Sequence, residues 1–457
     1  MIRFKSFSLF IRAFLISIAG ALQTITPLWA SNPTSSASAQ HEGATFSKEK
    51  LLPFEGRKIR KIQILGLTRT SETAVRGLLG GTEGDSFSSE NWVRGLMKLY
   101  DTNALYDLNT EISPAQKSDE VEITLRLTDK WTLVPFFSFQ GGGQFNYVTT
   151  GVYDTNLGGY FTNMSLGVSS SNGWIGYDVN LFQEFFLNTD LIFGLDVSKN
   201  FLPVIAPYNL SAINFIWSRD QVQFLLGRRL GSDKRFFTFL EVFRDQTLAP
   251  YQGFQEDLLP NLQYRIRPVL IFGRSNLTNF MEEGSELAFA PVTANFLDTN
   301  KAYHQLVVTY KNTSILKKDT NLAFFIGTGI MSSAPLAYQF HLGGFDTVRG
   351  FGSARMMGNL YANANLEFRP TLFQHRFSWS LLDWVVLQGC AFTDMGWMYN
   401  GLNSELTPVN HLALASAGLG IRMIFVKYSN AIIRLDWART ITPDEGLGFS
   451  FGIGQFF

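Results

Sequence analysis

The residues of this chain that could do specific chemistry together lie late in the sequence, around a cationic segment. Val348, Arg349, Gly350 and Phe351 follow a glycine pair in what is predicted to be a long loop. The next two predicted strands carry Glu367 and Asp394, and a guanidinium presents a planar fork of donors that suits carboxylates. We therefore expect a loop that folds into a polar interior and is pinned there by Arg349.

Alternation along the two strands supports this geometry. Between residues 360 and 369, Leu, Ala, Ala, Leu and Phe alternate with Tyr, Asn, Asn, Glu and Arg, so Glu367 lies on the polar face. Asp394 shares a face with Phe392 and Gly396 and can point inward in the same way. Gly350 permits a tight turn beside the arginine. The alternative is a solvated loop arginine.

The elements around this loop indicate a membrane barrel. From residue 130 to 457 we find segments of about ten residues separated by turns, with no convincing amphipathic helix. Aromatic residues reach 14%, with 42 Phe and 40 Gly. At 9–11 residues per spanning strand plus turns, the segment predicts a transmembrane β-barrel of about 16 antiparallel strands. Its apolar faces would contact lipid and its polar faces the lumen; the alternative is a large soluble β-protein.

The N-terminus has the pattern of an exported protein. Residues 1–30 combine a basic start with a short apolar core, which predicts a signal peptide. Cleavage would follow Ala30, or come as late as Ala39. Residues 31–56 are polar and Ser-rich and are predicted to form a flexible linker.

A small soluble domain is predicted over residues 57–129. Two helical patterns lie between a short strand near Ile62 and two later strands, the last of which alternates from Val121 to Thr128. The order strand, helix, helix, strand, strand describes one small α+β domain placed before the barrel.

Composition excludes several functions. The 38 basic residues balance 38 acidic ones, which removes nucleic acid as a default partner. Cys390 is the only cysteine, and the five histidines show no spacing suited to a metal. We find no nucleophile–base set or paired acids that a barrel enzyme would need, and no cofactor motif. We expect a protein that is not an enzyme.

These residues together resemble the superfamily of BamA, TamA and the two-partner-secretion transporters, also called the bacterial surface antigen family. The loop motif 348–351, the spaced Phe392, Asp394 and Gly396, and the terminal strands match its pattern. The small domain is similar to a polypeptide-transport-associated (POTRA) domain. In this family a terminal phenylalanine, here Phe457, resembles the signal read by the assembly machinery.

The resemblance implies a bacterial outer-membrane protein with its POTRA domain in the periplasm. It would assemble or translocate unfolded client polypeptides, with the lipid bilayer and accessory lipoproteins as further partners and no cofactor. Clients would be captured by strand addition at the POTRA sheet and would use a seam between the first and last barrel strands. One POTRA domain is predicted here, whereas an assembly machine of this family usually has several. This difference favours a specialised transporter. The alternative function is a solute-conducting or structural channel.

Overall fold

The computed structural model describes most of the chain after residue 50. The predicted signal peptide (residues 1–30), residues 31–50 of the predicted linker and Phe457 lie outside the described residues. Those described are 51–457 except 118, 143–144, 172, 209–210, 232, 248–261, 279, 300, 318, 335–337, 345, 353–354, 378–383, 400–412, 429–430 and 454–457. No helix in this described part has the length and apolar character needed to cross a bilayer.

The small domain folds as a three-stranded sheet covered by two helices. Its sheet has the order β1-β3-β2, with β1 parallel to β3. Helix α2 buries Trp92, Leu96 and Leu99 at helical spacing against the alternating apolar residues of β3. The elements are β1 (Lys58–Leu65), α1 (Glu72–Leu78), α2 (Ser89–Asp101), β2 (Leu105–Pro114) and β3 (Glu120–Asp129).

This domain begins earlier than the predicted boundary at residue 57. Leu52–Phe54 form a 3-10 turn, and Leu51 and Phe54 pack against the domain core. The Gly56 amide donates to the Phe87 carbonyl at 2.8 Å. Residues 51–56 therefore belong to the folded unit, because their apolar side chains are part of its packing.

The rest of the chain closes into a barrel of sixteen strands, which confirms the predicted fold class. All neighbouring strands pair antiparallel, and β15 (Phe340–Leu342) and β16 (Met356–Gly358) form a separate ribbon in the loop after β14. The barrel strands are β4 (Leu133–Gly142), β5 (Phe145–Leu157), β6 (Thr162–Ser171), β7 (Trp174–Phe186), β8 (Leu191–Tyr208), β9 (Ser211–Arg229), β10 (Lys234–Thr247), β11 (Leu262–Thr278), β12 (Met281–Phe296), β13 (Ala302–Lys317), β14 (Thr320–Met331), β17 (Leu360–Arg376), β18 (Trp384–Tyr399), β19 (Ala413–Phe425), β20 (Ala431–Thr442) and β21 (Leu447–Ile453).

The small domain is joined to one end of the barrel by a continuous set of polar contacts. Asp129 accepts hydrogen bonds from the amides of Thr68 and Arg69, at 2.5 and 2.8 Å, and from the Thr70 hydroxyl. Asn156, at the end of β5, donates to Thr70 Oγ1 at 2.7 Å and accepts from the Phe161 amide at 2.8 Å. The carboxylate thus orders the segment that meets the first turn of the barrel.

Further contacts extend this interface around the rim. Asp101, at the end of α2, accepts from Arg229 of β9 at 3.1 Å and from Arg274 of β11. Phe161, in the turn after β5, and Phe185, near the end of β7, are buried in the core of the small domain. The two units therefore share one apolar core as well as ion pairs, which fixes the small domain over this end of the barrel.

Replacing Asp129 by Asn should loosen this junction. Burial raises the pKa of Asp129, but hydrogen bonds from Thr70, Thr68 and Arg69 outweigh it and hold the pKa below its usual value. Its stabilising effect is therefore present at neutral pH and is lost only as the pH falls through that lowered pKa. We expect Asp129→Asn to cost about 1–2 kcal/mol and to speed tryptic cleavage after Arg69 at neutral pH.

The matched control is Glu122→Gln, which removes an exposed carboxylate 3.4 Å from Arg60 on the same small sheet. Such pairs contribute little to stability, so cleavage after Arg69 should stay at the wild-type rate. Equal cleavage rates in the two variants would contradict the junction described above.

Candidate functional site

The loop between β14 and β17 folds into the barrel and packs on its inner wall. Its residues Leu342, Val348 and Phe351 are buried together with Met398 of β18 and Leu414 of β19. These apolar contacts hold this part of the loop against the wall and bring its arginine to the wall strands. The loop thus lies in the lumen, which is the position expected from the sequence.

Arg349 is the centre of this contact. Its Nε and Nη2 atoms donate to the two Asp394 oxygens at 2.7 and 2.8 Å, and Nη1 donates to Glu367 Oε1 at 2.5 Å. The Arg349 guanidinium also lies over the Phe392 ring, with Cζ 3.5 Å from the ring centroid. Arg349 is 1% exposed and both acids are fully buried. Carboxylates on two adjacent strands thus bind the Arg349 guanidinium, which also stacks on an aromatic ring.

Glycines at three positions allow the loop to lie so close to the wall. Gly350 has a φ of +93°, a backbone conformation that residues with a side chain rarely adopt. A Cβ added at Gly396 would lie 2.9 Å from Val348 Cγ2, so β18 needs glycine there to seat the loop. A Cβ at Gly448 of β21 would lie 2.6 Å from the Gly350 Cα. The loop therefore presses directly against the last strand of the barrel.

The charge cluster is larger than the sequence analysis proposed. Arg422 of β19 donates to Asp436 of β20 at 2.6 Å, and Asp436 lies 3.6 Å from Arg349 Nη1. Arg369 donates to Glu367 at 2.7 Å, and Arg434 lies 3.5 Å from Asp436. Four guanidinium groups thus meet three carboxylates. In the sequence, Arg434 and Asp436 alternate with apolar residues on one strand. This pattern predicts that both side chains face the lumen, but it does not identify their partners.

A second anchor holds the start of the loop on the far side of the lumen. The Tyr338 hydroxyl donates to Asp245 Oδ2 of β10 at 2.7 Å. Asp245 also accepts from Arg219 at 2.8 and 3.2 Å and from Gln263 at 2.7 Å. In the strand order, β10 lies about half the barrel circumference from β20. The loop is therefore tied to two opposite walls and crosses the bore between them.

The barrel closes through a short pairing of its first and last strands. Among the described residues, β21 and β4 share three register pairs, from Phe449–Gly141 to Phe451–Phe139. The neighbouring pairings are longer, with ten pairs between β4 and β5 and seven between β20 and β21. Backbone hydrogen bonds hold a barrel wall together in lipid, and among the described residues this seam has the shortest pairing of the wall. The loop contact at Gly448 lies on the same strand.

In the described part of the chain, no group of three or more His, Cys, Asp or Glu side chains could hold a metal ion. Cys390 is buried, with no disulfide partner. The ion pairs around Arg349 position the loop against the wall.

Comparisons with known proteins point to one family. A family model described as the Omp85 superfamily domain matches residues 106–457. No curated protein sequence matches the chain. Among solved structures, BamA from Haemophilus ducreyi lacking POTRA domains 1-3 is similar over 87% of this chain and 85% of that one, at 14% identity and a TM-score of 0.56.

Two further structures share the fold. CdiB from Escherichia coli matches 87% of this chain and 76% of its own, at 12% identity and a TM-score of 0.65. CdiB from Acinetobacter baumannii matches 87% and 74%, at 15% identity and a TM-score of 0.56. At sequence identities of 12–15%, these similarities show a shared fold.

Replacing Arg349 by Ala should release the loop from the wall. The change leaves Glu367 and Asp394 without the cation that faces them, and breaking a buried pair in this way costs about 3–5 kcal/mol. We expect faster hydrogen exchange over residues 340–352 in the intact protein in lipid nanodiscs. Arg349→Lys should give an intermediate rate, because lysine keeps the charge but loses the planar fork.

Arg355→Ala is the matched control within the same loop. Arg355 pairs with Glu445 at 2.7 Å, but both side chains are about one-third exposed, so the pair adds little. Exchange in this variant should stay near wild type. A rate in Arg349→Ala no faster than in Arg355→Ala would contradict the pinned-loop geometry.

Proposed function

This chain belongs to the Omp85 superfamily, and on that basis we propose that it inserts other polypeptides into the outer membrane or passes them across it. The match confirms the family expected from the loop and strand motifs. Its closed barrel is that of an outer-membrane protein. The further steps proposed below concern how a client is captured and where it leaves the barrel.

The observation that carries the proposal is the three-pair seam between β4 and β21. Unpaired backbone groups in lipid are costly, so a barrel that opens along this line gains by pairing with another strand. A client strand that adds to the exposed edge satisfies those groups while it folds. The folding of the client would then supply the driving force without a nucleotide or cofactor.

Client capture is assigned to the edge of the small sheet formed by β2. The opposite edge, β1, is already covered: the Ile59 amide donates to Asp85 at 2.8 Å and the Phe87 amide donates to Arg57 at 2.7 Å. The side chain of Glu83 accepts from the Ile62 amide at 3.0 Å. Among the described residues no hydrogen bond covers the outer edge of β2, so an extended client can add there.

The doubly anchored loop weighs against the alternative of a simple solute channel. The loop is tied to Asp394 and Glu367 on one side and to Asp245 on the other, and it crosses the bore that solutes would use. A conducting pore also has no use for a docked domain over one end. In a transporter, both features would control when the lumen and the seam become accessible to a client.

Locking the seam should stop delivery of clients. Gln140 and Ser450 are register partners, so cysteines at both positions lie within disulfide range. In cells depleted of the wild-type protein, we expect the Gln140→Cys, Ser450→Cys variant to lose a set of outer-membrane or secreted proteins. Reductant should restore them, and quantitative proteomics of the outer membrane and medium would identify them.

The control lock joins two strands inside the wall, through Thr149→Cys and Ser169→Cys, which are register partners on β5 and β6. Its proteome should match wild type whether oxidised or reduced. Normal client levels in the oxidised seam variant would exclude a mechanism that opens at β4 and β21.

Photoreactive amino acids at the two edges of the small sheet would test capture. We expect a photoreactive residue at Glu111 on β2 to cross-link client polypeptides, because the neighbouring backbone is open to pairing. The same residue at Lys61 on β1 should give little product, because that edge is covered; both positions are exposed. Equal yields at the two positions, measured by mass spectrometry, would count against strand addition at β2.

A further inference from the structure

One part of the lumen wall is apolar and concave, which the alternation of polar and apolar faces does not predict. A cavity of about 380 Å³ lies along β7 to β11. Apolar side chains make up most of its lining: Phe182, Ile192, Leu225, Phe237, Phe239 and Ile271. Outward-facing neighbours on the same strands, such as Phe236 and Leu240, are also apolar and exposed. In this region both faces of the sheet are hydrophobic.

Glycines contribute to the shape of the cavity. A Cβ added at Gly194 would lie 3.2 Å from Leu225 Cβ, and one added at Gly227 would overlap Phe237. The missing side chains leave room for the aromatic rings to lie against the strands. The wall is thereby recessed where larger inward-facing residues would have filled the space.

The charged residues at the cavity are already compensated within the wall. Glu184 pairs with Arg229 at 2.6 Å, and Arg235 pairs with Glu286 at 2.6 Å. The cavity therefore does not call for an ionic ligand. Gln223 and Asn180 also line it, and their amides carry both donors and acceptors, as a peptide backbone requires.

An apolar recess that faces a water-filled bore is costly unless something covers it. Removal of apolar surface from water is favourable in proportion to the area covered, and concave apolar sites with a few polar groups are the usual form of binding sites. The opposite wall, formed by β17 to β20, carries the charge cluster around Arg349. The wall of β7 to β11 also holds ion pairs, such as those of Glu241 with Arg265 and Arg267, so its apolar surface is confined to the recess.

We propose that this cavity binds an aromatic or branched apolar side chain of an extended client polypeptide, with Gln223 and Asn180 contacting its backbone. The proposal rests on the transport function proposed above and names the segment of client that the lumen would recognise. A polypeptide is favoured over a phospholipid because a lipid brings a phosphate, and the nearby Arg229 and Arg235 are already bound by carboxylates.

The test uses the full chain in lipid nanodiscs and a fluorescent peptide that alternates Phe with Ser. We expect the peptide to bind, and a matched peptide with Ser in place of Phe to bind at least about tenfold more weakly, since buried aromatic anchors dominate such contacts. Phe237 on β10 and Ile271 on β11 both line the cavity, so Phe237→Ala and Ile271→Ala should each weaken binding several-fold. Phe236→Ala and Leu270→Ala, their neighbours on the other face of the sheet, should leave binding unchanged.

Binding that persists in the oxidised seam-locked variant would support a lumen site. An equal effect of Phe237→Ala and Phe236→Ala would overturn the proposal, because the peptide would then be binding to the lipid-facing surface. Displacement of the peptide by a short-chain phospholipid whose own binding is lost in Phe237→Ala would also overturn it, since the cavity would be a lipid site.

The cavity and the seam mechanism fail separately. Loss of clients on seam locking, together with peptide binding that is insensitive to Phe237→Ala, would reject the cavity and leave the seam mechanism standing. Peptide binding that is sensitive to Phe237→Ala, together with a cellular proteome that the seam lock leaves unchanged, would support the peptide site and exclude the seam mechanism.

Discussion

The guanidinium of Arg349, held between Asp394 and Glu367 with no exposure to bulk water, decides where the lumen loop lies. A buried charge is tolerated only when its partners are complete, and here the fork uses both oxygens of one acid and one oxygen of another. The loop cannot shift along the wall without breaking several of these bonds together. Its position is therefore fixed by several charge-assisted bonds at once.

That single position has consequences for the strands around it. A Cβ added at Gly448 of β21 would lie 2.6 Å from the Gly350 Cα, and one added at Gly350 would lie 3.1 Å from Ala438 Cβ of β20. The strand that closes the barrel therefore has the loop on its inner face and, among the described residues, three register pairs with β4. Any change that lifts the loop also removes packing from β21. The charge cluster and the seam are in this way physically coupled through two glycines, without a longer pathway between them.

Much of this geometry could be predicted from period-two alternation, because alternation is a local property of one strand. It placed Glu367 and Asp394 on inward faces, and the structure brings both to Arg349. Alternation cannot say which strands meet across a closed barrel. Tyr338 and Asp245 are 93 residues apart, and the partnership of Arg422 with Asp436 depends on the register of two strands. On β10 the rule holds only in part, because Phe237 and Phe239 share the inward face with Glu241 and Asp245.

Two parts of the barrel wall use their inward positions differently. On β17 to β20 these positions carry charges that hold the loop, whereas β7 to β11 leave a recess lined by Phe182, Phe237 and Phe239. The loop is also tied to β10, where Tyr338 donates to Asp245, farther along the strand than Phe239. A polypeptide that extended from the recess along β10 would meet this second anchor and would compete with the loop for the bore. Occupation of the recess would then favour release of the loop, because the two need the same space.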